Sequence, residues 1–245
     1  MIKLDKNTTL LFYGDSITDG ARGRTMDGNH IMGHGYASIV ASKFALDNIE
    51  NMPKFINKGI SGNTSSDLLR RLEDDVLKYK PDIISILVGI NDVLMGENLS
   101  AKEIGDNYIS NLQKITDAVR HELKNSEIII LEPFYLELDN IENPYTHTPY
   151  VECEEPFTPA HVHETAAPYI KRREAIWYIQ TLLKEFIQKN NYMFVPLQEE
   201  FLNQSKKAKP EYLVWDTIHP TITGHEIIAR KWLEVAKREL TKSRQ

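Results

Sequence analysis

The sequence predicts an α/β protein, a three-layer α/β/α sandwich around a central five-stranded parallel sheet. Short apolar runs alternate along the chain with longer amphipathic stretches, which is the pattern of βαβ units with right-handed crossovers. Two of the runs, residues 83–88 and 128–131, are nearly continuous in isoleucine, leucine and valine. Such runs are typical of parallel strands that are buried on both faces, so helices are expected above and below the sheet.

The elements follow one another in a regular order. Strands are predicted over residues 9–13, 55–56, 83–88, 128–131 and 193–196, and helices over residues 36–47, 66–78, 101–124, 167–189 and 219–240. The second helix has a clear amphipathic pattern, because leucine and valine side chains recur on one face and Ser65 or Ser66 can serve as its N-cap.

One long segment has neither periodicity. Residues 139–166 hold four prolines, three histidines and five glutamates. A loop of this length inside a compact domain is usually functional or disordered. Because it follows a strand, it is expected to emerge at the carboxyl edge of the sheet, where open α/β sheets bind ligands. We interpret it as an insertion in a single domain of residues 1–245, not as a second domain.

Composition and charge argue against several classes of function. The chain has 29 lysines and arginines against 35 aspartates and glutamates, and a net charge of −6, so no nucleic acid is expected as a partner. Its single cysteine, Cys153, cannot form an intrachain disulfide, as is usual in a reducing compartment. No apolar run approaches the roughly 20 residues that cross a bilayer, and the first one is five residues long without the flanks of a signal peptide. We therefore expect a cytoplasmic protein that does not bind membranes.

Four short motifs carry the candidate chemistry. They are GDSIT at residues 14–18, GISGN at 59–63, VGIND at 88–92 and DTIHP at 216–220. The first three follow predicted strands, and the fourth precedes the last predicted helix. Because the carboxyl ends of parallel strands lie at one edge of a sheet, the four motifs are expected to meet there and form one site.

The residue types in these motifs predict acyl transfer. A serine hydroxyl is a weak nucleophile near neutral pH and needs a base within hydrogen-bond distance. His219 is the candidate base for Ser16, and Asp216 can hold the second imidazole nitrogen and stabilise the imidazolium. The candidate donors to the oxyanion are the backbone N–H groups of Ser16 and Gly62 and the side-chain amide of Asn91, each worth roughly 3–4 kcal/mol of barrier.

Each motif also has a plain structural explanation. A serine after a strand is usually a helix N-cap, Gly62 can serve only to permit a turn, and the Asp216–His219 pair can be a local cap. It is the combination of motifs, in this order and after successive strands, that favours a catalytic site. Asp15 and Asp92 are expected to hold turns rather than to react.

In this combination the motifs resemble those of the SGNH, or GDSL-type, hydrolases. The family pattern runs GDS(I/L), a glycine block, GxND and DxxHP, and all four blocks are intact between residues 14 and 220. The resemblance implies a flavodoxin-like SGNH hydrolase fold. It assigns the four named family positions to Ser16, Gly62, Asn91 and His219, with Asp216 as the triad acid. No G-x-S-x-G motif is present, so the local motif of the α/β-hydrolases is excluded.

A narrower resemblance concerns the substrate. Residues 59–93, 132–137 and 214–233 are similar to small intracellular acetylxylan and carbohydrate acetylesterases of this superfamily. This implies a serine esterase that removes acetyl groups from xylo-oligosaccharides or other small acetylated sugars, with no cofactor. Such relatives are often homo-oligomers. The segment 139–166 departs from the shortest members of the group, which leaves substrate size and assembly open.

Two further residues are candidates for substrate binding. Trp215 can wall a small acyl pocket or pack under the last helix, and Ile17 can border the same pocket or belong to the core. No metal site is expected. The histidines of residues 139–166 come without an HExxH motif or a CxxC pair, and such loops are commonly just solvated.

Two rival functions remain open on the sequence. A lysophospholipase, thioesterase or broad arylesterase would use the same triad but needs a long apolar groove, of which the sequence gives little sign. A binding protein without catalysis would have no chemical need for the complete set of Ser16, Asp216 and His219. The leading prediction, a carbohydrate O-deacetylase, implies activity that survives chelation and falls as His219 is protonated, near its ordinary pKa of about 6.5.

Overall fold

Five parallel strands form the centre of the fold. The computed structural model describes residues 5–25, 27–138 and 169–239, with side chains from residue 172 onward in the last range. The strands are β1 (Thr9–Gly14), β2 (Lys54–Gly59), β3 (Ile83–Leu87), β4 (Glu127–Leu131) and β5 (Met193–Val195). They form one sheet in the order β2-β1-β3-β4-β5, and every neighbouring pair is parallel. The predicted α/β fold with a five-stranded parallel sheet is confirmed.

Helices fill the connections between the strands. In chain order they are α1 (Ser16–Asp19), α2 (Tyr36–Asp47), α3 (Ser65–Arg70), α4 (Leu72–Asp75), α5 (Ile90–Met95), α6 (Ala101–Glu122), α7 (Tyr169–Asn190), α8 (Gln198–Ser205) and α9 (Ile222–Glu239). The four longest correspond to predicted helices. The short helices α1, α5 and α8 were not predicted, because one or two turns show too little periodicity to be recognised.

Two predicted helices differ from the observed ones. The stretch predicted as a single helix over residues 66–78 is two short helices, α3 and α4, which meet at Arg71. The last helix begins at Ile222 instead of residue 219. The chain before it makes a turn that is closed by an antiparallel bridge between Val214 and Pro220.

The sheet is buried on both faces. Leu10 and Phe12 of β1 belong to a core on one side of the sheet, together with residues of α2 and α9. Leu11 and Tyr13 belong to a second core on the other side, together with residues of α3, α6 and α7. Successive side chains of a strand point to opposite faces of the sheet, and all four of these β1 side chains are fully buried. Both faces of the sheet are therefore covered by helices, as the sequence predicts.

The strand order creates a crevice at the carboxyl ends of β1 and β3. From β1 the chain passes to β2 on one side, and then returns past β1 to form β3 on the other side. The connections that leave β1 and β3 therefore diverge, and open α/β sheets bind ligands at such a switch point. Ser16 lies two residues after the end of β1 and Asn91 follows β3, so the topology brings both to this crevice.

The predicted insertion at 139–166 lies outside the described residues. In the ranges that the structure covers, none of the helices combines the length and the apolar character that a membrane span requires.

Candidate active site

Ser16 lies where β1 ends and the chain turns into α1. Asp15 is the N-cap of this helix, and its Oδ1 accepts the N–H of Ile17 at 3.0 Å. The preceding Gly14 permits a close approach to β3, since a Cβ at this position would lie 2.3 Å from the carbonyl oxygen of Leu87. The strand end and the cap together place the Ser16 hydroxyl at the carboxyl edge of the sheet.

His219 is held by the turn between Val214 and Pro220. Oδ1 of Asp216 accepts the backbone N–H groups of Ile218 at 3.2 Å and of His219 at 2.7 Å. The other oxygen, Oδ2, lies 2.5 Å from Nδ1 of the His219 ring. Asp216 thus fixes both the turn and the orientation of the imidazole.

The serine, histidine and aspartate form one hydrogen-bonded chain. Ser16 Oγ lies 2.8 Å from His219 Nε2, although the two residues are 203 positions apart in the sequence. When Nδ1 donates its proton to Asp216, Nε2 presents a lone pair to the serine hydroxyl. This is the arrangement that a nucleophile, its base and the group that orients the base require.

The surroundings of His219 make its imidazole more basic. Burial lowers the pKa of His219, but the hydrogen bond and charge of Asp216, with the charge of Asp15, more than offset this, so the net pKa is raised. A more basic imidazole is a better proton acceptor for the Ser16 hydroxyl.

Hydrogen bonds between loops bring Gly62 and Asn91 to the same edge. The N–H of Ile60 donates to the carbonyl of Gly14 at 3.0 Å, and the Asn91 amide donates one N–H to the backbone oxygen of Asn63 at 3.0 Å. Gly62 has φ +81°, a conformation that favours glycine.

Three N–H groups remain available for an oxyanion. The side-chain amide of Asn91 has a second N–H beside the one that it donates to Asn63. Among the residues that the structure describes, no protein acceptor is bonded by the backbone N–H of Ser16 or of Gly62. These are the donors that the sequence predicts.

A second link between the same loops is not evident in the sequence. Asp92 accepts the backbone N–H of Ser65 at 2.9 Å and its hydroxyl at 2.5 Å. The sequence suggests Ser65 or Ser66 as a helix N-cap, but the N-cap of α3 is Thr64, which forms a capping box with Asp67. Ser65 instead ties its loop to α5.

Asp15 holds its own turn, as expected, whereas Asp92 binds Ser65 of a neighbouring loop, and both aspartates are buried. Burial raises the pKa of Asp15 to about 7, against the hydrogen bond from the Ile17 N–H. Burial also raises the pKa of Asp92 to about 6, against its hydrogen bonds with Ser65. Two carboxyl groups next to the site therefore titrate closer to neutral pH than exposed aspartates do.

Trp215 stacks on the candidate base. The rings of Trp215 and His219 are 5.0 Å apart with an angle of 17° between their planes, and the backbone N–H of Trp215 donates to the backbone carbonyl of His219 at 3.0 Å. The indole therefore lies directly beside the site. Ile17 is 2% exposed and belongs to the first core. Of the two roles that the sequence left open for this residue, the structure shows the place in the core.

Sequence reasoning misses two side chains beside the Gly62 loop. Met95, at the end of α5, is 65% exposed, and its Cε lies 4.0 Å from the place that a Cβ on residue 62 would take. Arg71 donates from Nε to Oδ1 of Asn63 at 2.7 Å. Neither residue has a sequence signal, since an arginine in an amphipathic stretch and a methionine after a short helix are both ordinary.

Within the described part of the chain, no group of three or more histidine, cysteine, aspartate or glutamate side chains is arranged to hold a metal. The side chains considered from the sequence, His147, Cys153, His161 and His163, lie outside that part. The expectation of a site without metal or cofactor stays a prediction.

Comparison with known proteins identifies the family. The model of the GDSL-like lipase/acylhydrolase family matches residues 12–227, a range that contains the whole hydrogen-bonded chain from Ser16 to Asp216. The chain belongs to this family. It is therefore a GDSL-type carboxylic ester hydrolase, as the sequence resemblance implied.

Several individual proteins match nearly the full length of the chain. An acetylxylan esterase from Geobacillus stearothermophilus is 32% identical over 99% of this chain and 100% of its own. The crystal structure of Axe2, an acetylxylan esterase from the same organism, covers 97% of this chain and 98% of its own with a TM-score of 0.72. That of a GDSL-like lipase from Parabacteroides merdae ATCC 43184 covers 96% and 98%, with 28% identity and a TM-score of 0.74.

Proposed function

We propose that this GDSL-type esterase removes O-acetyl groups from small acetylated carbohydrates, such as acetylated xylo-oligosaccharides, through an acyl-enzyme on Ser16. One observation carries the chemistry, the 2.8 Å contact between Ser16 Oγ and His219 Nε2 in a chain that ends on Asp216. The substrate class is supported by the similarity to an acetylxylan esterase, which extends over 99% of the chain.

In the first half of the reaction the acetyl group moves from the sugar to the enzyme. Ser16 Oγ attacks the carbonyl carbon while Nε2 of His219 takes the hydroxyl proton, and Asp216 stabilises the resulting imidazolium. The oxygen that becomes negative is met by the N–H groups of Ser16, Gly62 and Asn91. His219 then gives its proton to the sugar oxygen as the carbon–oxygen bond to the sugar breaks.

In the second half water releases acetate. The imidazole of His219 is neutral again and removes a proton from a water molecule, which attacks the acetyl carbon on Ser16. The same three donors stabilise the second oxyanion. When the bond to Ser16 Oγ breaks, His219 returns the proton to that oxygen and the free enzyme is restored.

The position of Trp215 supports a preference for short acyl groups. Its indole lies against the His219 ring, and we infer that this rigid apolar side chain borders the acyl group of the substrate. A large aromatic wall at that distance favours acetyl over long acyl chains. A lysophospholipase, thioesterase or arylesterase would use the same hydrogen-bonded chain and is the alternative outcome of the test.

Acetate release from acetylated xylo-oligosaccharides tests the substrate, measured beside p-nitrophenyl esters of two to twelve carbons. We expect release from the sugar and a steep loss of activity beyond short acyl chains. A preference for eight carbons or more, without activity on the sugar, would support the alternative. The Ser16→Ala variant serves as control, since all ester hydrolysis should be lost while the fold is kept.

A further inference from the structure

Arg71 makes four side-chain hydrogen bonds at the junction of α3 and α4. Its Nη2 donates to the carbonyl of Gly14 at 2.9 Å, and Nη1 donates to the carbonyl of Lys58 at 2.8 Å. Nη1 also donates to Asp75 Oδ2 at 2.8 Å, and Nε donates to Asn63 Oδ1 at 2.7 Å. The guanidinium therefore joins the ends of two strands to the loop of the GISGN motif.

Two of the four acceptors lie next to residues of the proposed oxyanion site. Gly14 is two positions before Ser16, and Asn63 directly follows Gly62. The backbone oxygen of Asn63 also accepts the amide of Asn91 at 3.0 Å. Arg71 therefore contacts the segments that carry Ser16 and Gly62, and Asn91 is joined to it through the backbone oxygen of Asn63.

The guanidinium is itself held in place. It lies over the ring of Tyr13, 4.4 Å from the centroid, and the Tyr13 hydroxyl donates to the Leu68 carbonyl at 2.5 Å. Asp75 binds it from α4 and also pairs with Lys58, whose Nζ lies 3.0 Å away. The Arg71 side chain is only 14% exposed. A stacked, paired guanidinium fork has little freedom to move, so the acceptors that it joins are fixed relative to one another.

We propose that Arg71 is a positioning residue for the oxyanion site. Its guanidinium group sets the spacing between the end of β1, just before Ser16, and the loop of Gly62 and Asn63. This inference rests on the proposed acyl-enzyme reaction. Displacing a catalytic group by about 1 Å can reduce a rate by roughly a hundredfold, so a residue that holds the donors in register acts mainly on kcat and little on substrate binding.

Three variants test the proposal. Arg71→Met keeps the apolar stem, removes the fork and leaves Asp75 paired with Lys58. Asn63→Ala removes the acceptor of the Nε bond, leaves the Asn63 backbone oxygen in place, and provides a milder change if Arg71→Met does not fold. Arg70→Met is the matched control, because the neighbouring Arg70 is 76% exposed and pairs only with Asp67 in the described part of the chain.

The measurement is kcat on p-nitrophenyl acetate per active site, with sites counted by the burst of p-nitrophenol. We expect a loss of about tenfold to a hundredfold in Arg71→Met with KM changed less than about threefold. Asn63→Ala should lose about threefold to tenfold. A fourth protein that combines Arg71→Met with Asn63→Ala should be no slower than Arg71→Met alone, because both changes remove the same contact. Arg70→Met should match the wild type.

Counting active sites separates positioning from stability. A purely structural arginine would lower the number of titrated sites or the melting temperature without changing kcat per site, and that result would overturn the proposal. Independent, multiplicative losses in the double variant would also overturn it. Absence of turnover by the wild-type enzyme would instead refute the proposed function on which the inference rests.

Discussion

His219 is the residue that sets the pH dependence of the proposed reaction. Catalysis needs its neutral form, so activity falls as pH drops through its pKa. The sequence alone predicts a midpoint near 6.5. Asp216 more than offsets the effect of burial and raises the pKa of His219, so we expect kcat/KM on p-nitrophenyl acetate to be half-maximal above pH 6.5.

The Asp216→Asn variant tests the cause of that shift. Without the carboxylate, burial dominates, and the midpoint should move to lower pH while kcat falls by about three to four orders of magnitude. His121→Gln is a control, since His121 is 82% exposed and pairs with Glu122. A wild-type midpoint at or below 6.5, or the same midpoint in Asp216→Asn, would contradict this account of His219.

Among single residues, the sequence predicts those that belong to motifs, and it misses those that act through contacts with distant parts of the chain. Ser16 and His219 can be paired in advance because chemistry requires the pair. The bond between Ser65 and Asp92 spans 27 positions, and the Arg71 bond to Gly14 spans 57. No local pattern marks such partners, since each depends on how the loops fold onto one another.

Among the helices, α2 depends on a residue from another helix for its first turn. Its N-cap, Gly35, has no side chain that could accept a hydrogen bond from the first turn. The backbone N–H of Tyr36 donates instead to Nδ1 of His225 in α9 at 3.2 Å. Burial, together with the charge of His219, lowers the pKa of His225 to about 4. Its imidazole therefore stays neutral and able to accept this bond.

The His225 contact predicts a loss of stability in acid. The pKa of His225 is near 4 when folded and about 6.5 when unfolded, so the unfolded chain binds more protons between these values. The stabilisation is complete above pH 6.5 and is lost as pH falls toward 4. In urea unfolding at pH 7.5 and 5.0, the wild type should lose about 2 kcal/mol more than His225→Gln.

The comparison with His225→Gln is needed because two carboxyl groups change the free energy of unfolding with pH in the opposite direction to His225. The raised pKa values of Asp15 and Asp92 mean that the folded state binds the extra protons there, so acid relieves the penalty of burying their charges. Both groups are present in all variants and cancel in the difference. Equal pH dependence of wild type and His225→Gln would refute the role of His225.

Strands could be located from the sequence better than the short helices. β3 is apolar except for Ser85, and the sequence predicts it to within one residue of its ends. The sequence predicts β2 over two residues, but the strand spans six. Its polar Asn57 is buried and donates to the carbonyls of Thr18 and Met32, so the apolar pattern fails where the strand binds the loop after Ser16.

In the molecule as a whole, the sheet order explains why motifs 200 residues apart can form one site. With β1 between β2 and β3, the loops that follow all three strands lie side by side, and the turn before α9 closes the group by placing His219 on Ser16. The alternation of elements made this fold predictable. The single-domain assignment, the cytoplasmic location, self-association, and activity without metal stay predictions.

The acetyl-enzyme is the most direct test of the account. Wild-type enzyme mixed with p-nitrophenyl acetate and quenched in acid within the burst should carry one acetyl group by intact mass, mapped by fragmentation to Ser16. Ser16→Ala should carry none and release no p-nitrophenol above background. An acetyl group on another residue, or release of p-nitrophenol by Ser16→Ala at the wild-type rate, would contradict Ser16 as the nucleophile.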